Sequence, residues 1–67
     1  MKKQKQYTVI KHQSGMHRPV MYKVGLKRSN PWRNIKIESI IAQTDVEAPS
    51  KDKAQVRAIR IFRKRGL

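Results

Sequence analysis

Residues 6–12 read Gln-Tyr-Thr-Val-Ile-Lys-His, a run dense in β-branched and aromatic side chains that is followed by a Ser14-Gly15 turn pair, and this predicts a first strand. Pro19 precedes a second. There Val20, Tyr22, Val24 and Leu26 alternate with Met21, Lys23 and Gly25, the period of two of a half-buried strand. Ser29-Asn30-Pro31 breaks the pattern. Ile35, Ile37, Ser39 and Ile41 then alternate with Lys36, Glu38, Ile40 and Ala42, which predicts a third strand with one strongly apolar face. Connections this short favour an antiparallel meander.

Pro49-Ser50 marks a helix start, because the Ser50 hydroxyl can cap free backbone N–H groups and Asp52 falls in the first turn, where the helix dipole favours an anion. Gly66 marks its exit. At about 100° per residue, Ala54, Ala58, Ile61 and Phe62 cluster into one seam suited to lying across an apolar sheet face. The expected fold class is therefore α+β. It is a three-stranded antiparallel β-meander packed against one C-terminal amphipathic α-helix, in the order β-β-β-α. Residues 6–67 form a single small domain in this reading, and residues 1–5 a flexible basic N-terminal arm.

Composition sharpens the picture. The 67 residues include 17 Lys plus Arg against 4 Asp plus Glu, a formal charge of +13, and the sequence pI is about 11.1. A chain this short buries only about 60% of its unfolded surface, which argues against a large enclosed catalytic pocket. The absence of Cys excludes disulfides, thiolate zinc sites and thiol catalysis. A hydrophobic content of 37% is low, yet its periodic clustering indicates a folded core. The basic start is not followed by an apolar run of about 7 to 15 residues, so no signal peptide is expected. Nor does any window approach the roughly 18 apolar residues of a membrane span. The expected location is the cytoplasm, at the nucleoid if the target is DNA, or the host cytoplasm if the protein is viral.

The charges fall in blocks. Residues 1–37 hold ten bases and no acid, residues 38–50 hold Glu38, Asp45 and Glu47 with no base, and residues 51–67 hold seven bases against Asp52. The sharpest feature is a helical stripe of Lys53, Arg57, Arg60 and Lys64, spaced by 4, 3 and 4 residues. Like charges at these spacings repel by a few tenths of a kcal/mol per pair, so helix stability alone does not select the arrangement. A polyanion resolves it, since each neutralised phosphate releases condensed counterions. A solvated face serving solubility is the plainer reading, but solubility needs a net charge of only about 2 to 8.

A second patch is the turn Lys27, Arg28, Trp32 and Arg33, with Asn30 and Asn34 among them. It mixes charge with a flat ring able to stack on a base or wedge into a groove, although covering the edge of a thin core is the stronger expectation for Trp32. A third is the outer sheet face, where Thr8, Met21, Lys23, Lys36 and Glu38 would point. Lys2, Lys3 and Lys5 add a sequence-independent contribution. His12 and His17 read as turn or surface residues, and no catalytic set, metal site or cofactor is expected.

The segment Ser50-Lys51-Asp52-Lys53-Ala54, with Ala58, resembles the start of the last helix of double-stranded RNA-binding domains. The resemblance covers the C-terminal two-thirds, but Asp52 and Gln55 stand where that family usually has lysines, and residues 1–18 do not look like its first helix. The β-β-β-α order also resembles the arm-binding domains of phage-type integrases and plant three-stranded-sheet DNA readers, as architecture rather than motif. The expected function is a small non-enzymatic nucleic-acid-binding protein that grips phosphates, with duplex DNA favoured over RNA, as a monomer or homodimer. Two alternatives stand beside it. One is a small phage-type regulator docking on an acidic host protein such as a polymerase, nuclease or nucleoid protein. The other is a ribosomal or RNA-binding protein.

Overall fold

A computed structural model of the protein describes residues 3–67. Strand β1 spans Lys5–His12, β2 Met21–Leu26 and β3 Ile40–Ala48, and helix α1 spans Lys51–Lys64. The α+β class, the three antiparallel strands and the C-terminal helix are as expected. The strand order is not that of a meander. It is β2-β1-β3, with β1 in the centre.

The reason lies in Tyr7-Thr8-Val9-Ile10, four consecutive buried residues. A strand buried on successive positions is covered on both faces and belongs inside a sheet. β3 instead alternates exposed and buried along its length, as suits an edge. Two edge strands on opposite sides of β1 need a connection that crosses the sheet. Residues 27–39 provide it through three 3-10 turns, Lys27–Ser29, Pro31–Asn34 and Ile37–Ser39. Asn30 between the first two adopts a left-handed conformation (φ 51°), which Asn tolerates better than most residues.

This crossover corrects the expected third strand. Ile35 and Ile37 lie in the connection, and the pairing begins only at Ile40. The residues read as an acidic connector are β3 itself, with Asp45 and Glu47 at its exposed alternating positions. A bulge between Lys11 and His12 skips Ile41, which leaves that side chain partly exposed.

One sheet face carries Tyr7, Val9, Ala42, Val46 and Ala48, packed against Ala54, Ala58 and Phe62 of α1, with Tyr22, Val24, Leu26 and Ile61 at the margin. Small residues on both sides let the helix approach closely, and the Phe62 ring stacks on Tyr22 with centroids 6.4 Å apart. Ser50 caps the helix, its hydroxyl accepting from the Lys53 N–H at 3.4 Å. At the other end Gly66 takes φ 77°, and the Leu67 N–H donates to the Phe62 carbonyl at 2.8 Å, closing the last turn.

The opposite face carries Thr8, Ile10 and Gly25 beneath the crossover. Pro31 is buried against Gly25 so closely that a Cβ on that glycine would lie 2.8 Å from the Pro31 Cβ. The outer sheet face expected to be open is therefore covered over Thr8, Ile10 and Gly25, while Gln43, Asp45 and Glu47 of β3 stay exposed on it. The molecule has three layers: helix, sheet and crossover.

Candidate nucleic-acid interface

Strand direction decides which bases meet. β1 starts where β2 and β3 end, since Tyr7 pairs with Leu26 and Lys5 with Ala48. The first crossover turn and the first turn of α1 leave from that same end. Lys3 and Lys5, Lys27 and Arg28, and Lys51 and Lys53, distant in sequence, are thus gathered at one end of the sheet, all exposed. Lys2 lies outside the described residues. Lys5, expected in a flexible arm, is the first paired residue of β1.

Of the helical stripe, Lys53, Arg57, Arg60 and Lys64 are all exposed. Arg57 is engaged: its Nη1 donates to the Glu47 carbonyl oxygen and, at 3.3 Å, to Gln4 Oε1. It pins the helix to the β3 edge and to the approach of β1 while leaving its charge on the surface. Arg60 and Lys64 lie one and two turns further along, away from the cationic end. Lys64 and Arg63 occupy the last turn, where they complement the helix dipole. Lys51 and Lys53 sit in the first turn, where the dipole opposes them. Their charge therefore costs helix stability, in contrast to that of Arg63 and Lys64.

The crossover residues divide. Lys27 Nζ forms an ion pair with Asp45 Oδ2 at 3.3 Å, while Asp45 Oδ1 accepts from the buried Thr8 hydroxyl at 2.8 Å. Lys27 is thus partly neutralised and fastens the crossover to β3. Among the described residues this is the one ion pair, so most of the cationic charge is uncompensated. Arg28 and Arg33 are exposed. Trp32 is 37% exposed, with most of its surface covered, and it follows the buried Pro31 of the same turn. Trp32 and Arg33 lie on the crossover layer, across the sheet from the helix.

At the cationic end, Lys5, Gln6, Leu26 and Arg28 line an open groove of about 410 Å³. A neighbouring hollow of about 240 Å³, bounded by Gln6, Lys27, Asp45, Val46 and Glu47, carries the acids of β3. Gln6 separates a basic groove from an acidic one. No group of three His, Cys, Asp or Glu side chains able to hold a metal occurs among the described residues.

The chain matches no family model, no curated protein and no solved structure. The interface therefore rests on its own geometry. Sequence reading missed Lys51 and Gln6, the first because it lies off the stripe and the second because it is uncharged; only strand pairing brings them to the cationic end. Arg63, three residues from Arg60, was available from the spacing and extends the exposed basic flank. Of the residues that carry the sequence resemblance, Ser50 caps α1, and Ala54 and Ala58 are buried against the sheet. Among the described residues, no helix is long and apolar enough to cross a membrane.

Proposed function

We propose that the protein is a non-enzymatic nucleic-acid-binding protein that grips the phosphates of duplex DNA with its cationic end and the adjoining flank of α1. One observation carries this reading: strand pairing gathers six bases from three stretches of the chain, Lys3 and Lys5, Lys27 and Arg28, and Lys51 and Lys53, at one end, where they outnumber the acids Asp45, Glu47 and Asp52. Lys51 and Lys53 oppose the helix dipole in the free protein, and a bound phosphate relieves both that cost and the mutual repulsion. Duplex DNA is favoured because a single Trp is a poor platform for single strands and the RNA-binding helix pattern is incomplete. The test is a gel-shift comparison of duplex DNA, duplex RNA and single strands at two salt concentrations, with Lys53→Glu and Arg60→Glu variants. Tightest binding to duplex DNA, weakened by both substitutions, supports the reading. Absence of any shift in dilute salt ends it.

A second reading is favoured by the opposite end of the sheet. Met16 is 90% exposed and Ile37 84%, and Val20, Met21 and Ile41 are also exposed. The pairing of His12 with Met21 and Ile40, and the bond from the Gln13 N–H to the Ser39 carbonyl at 2.9 Å, place these residues at one end. Such an apolar tip suits a regulator that docks on an acidic host protein. A stoichiometric partner that survives nuclease treatment and is lost on Ile37→Asp would support it.

A further inference from the structure

We infer that the groove between Lys5, Gln6, Leu26 and Arg28 is a subsite for one unpaired nucleotide, so that the protein prefers a duplex bearing a terminal overhang to a blunt one. The inference rests on the nucleic-acid reading and goes beyond it by naming what the groove takes. At about 410 Å³ the groove lies at the low end of the volumes of small-ligand pockets, about 300–1,000 Å³. Its lining combines two chemistries. Leu26 presents an apolar wall, which gains from covering the face of a flat, poorly hydrated group. Lys5 and Arg28 flank that wall with two exposed cations, placed to hold phosphates. A purely phosphate-gripping surface has no need of the apolar wall, and a purely hydrophobic ligand has no need of the cations. A nucleotide uses both.

Gln6 completes the site. Its amide offers two donors and an acceptor at the rim, the pattern that reads base edges, and its side chain is exposed at the groove. On its far side, Glu47 and the Asp45 pair with Lys27 line the acidic hollow, which repels phosphate and directs it back to Lys5 and Arg28. A base inside a duplex is stacked on both sides and cannot enter. A terminal unpaired base can enter without any base pair being broken, which selects the strand end.

The test measures fluorescence anisotropy with three duplexes labelled at the distal end: blunt, carrying a one-nucleotide 5′-phosphorylated overhang, and carrying the same overhang with an abasic residue. The overhang is expected to bind up to about tenfold tighter than the blunt duplex, from covering one base face with the apolar Leu26 wall. The abasic overhang should lose that gain although it keeps the phosphates. Gln6→Glu, nearly isosteric and at an exposed strand position, should abolish the preference while circular dichroism shows an unchanged fold. Equal affinity for blunt and overhung duplexes, or an abasic overhang as good as the intact one, would overturn the subsite and leave phosphate gripping intact. Failure of all three duplexes to bind in dilute salt would instead bring down the underlying reading.

Discussion

Replacing Gly25 with Ala tests whether the crossover seals the outer sheet face over Thr8 and Ile10. The added methyl would sit 2.8 Å from Pro31 Cβ and 3.3 Å from Pro31 Cγ, where carbon contacts are comfortable at about 3.5–4.0 Å. A proline ring cannot rotate away. The backbone around it is also held, by the bonds from the Asn30 N–H to the Lys27 carbonyl at 3.2 Å and from the Arg33 N–H to the Asn30 carbonyl at 3.0 Å. Relief therefore requires β2 to bend or the crossover to lift off Thr8 and Ile10, an overpacking cost of about 1–3 kcal/mol. Against this, alanine stiffens the unfolded chain and returns about 0.4–1 kcal/mol. The net expectation is a loss of about 1–2 kcal/mol, a large share of the stability of so small a domain. At about 4–8 °C per kcal/mol, that lowers the melting temperature by roughly 5–15 °C. Urea unfolding followed by far-ultraviolet circular dichroism, and separately by the fluorescence of neighbouring Trp32, reads both the global and the local loss. Pro31→Gly removes the offending Cβ, so in that background Gly25→Ala should be neutral or stabilising. A Gly25→Ala protein as stable as its parent in the original background would refute the sealed face.

Five further outcomes follow. Phe62→Ala should cost about 3–5 kcal/mol, since the ring is buried in the helix–sheet seam and stacked on Tyr22, and calorimetry should find little or no cooperative transition. Asp45→Ala should destabilise by about 1–3 kcal/mol by orphaning the buried Thr8 hydroxyl, and adding Thr8→Val should recover most of the loss in urea melts. Arg57→Ala should lower stability by about 0.5–1.5 kcal/mol because it breaks the clasp on Glu47 and Gln4. Arg60→Ala should leave stability within about 0.5 kcal/mol while still weakening DNA binding. If about six phosphates are neutralised, the logarithm of affinity should fall with the logarithm of salt at a slope of roughly −5, and a slope near zero in filter-binding titrations would exclude the phosphate grip.

Much of this molecule is decided locally and can be read from the chain. The Ser50 cap, the Ala54, Ala58 and Phe62 seam and the Gly66 exit depend on residues within a turn or two of one another, as do the first two strands. The position of β3 was hidden for a physical reason. Its inward residues, Ala42, Thr44, Val46 and Ala48, are kept mostly small so that α1 can approach, which mutes the apolar alternation, while Ile35 and Ile37 imitate a strand within the crossover. Strand order is likewise a long-range choice: the buried run of Tyr7 to Ile10 becomes central only because elements on both sides cover it. The excess of positive charge is a property of composition, but its assembly is not. Lys5, Arg28 and Lys53 come to the same end of the sheet because antiparallel pairing returns the strands to a common end from which α1 departs, and no periodicity along the chain records that meeting.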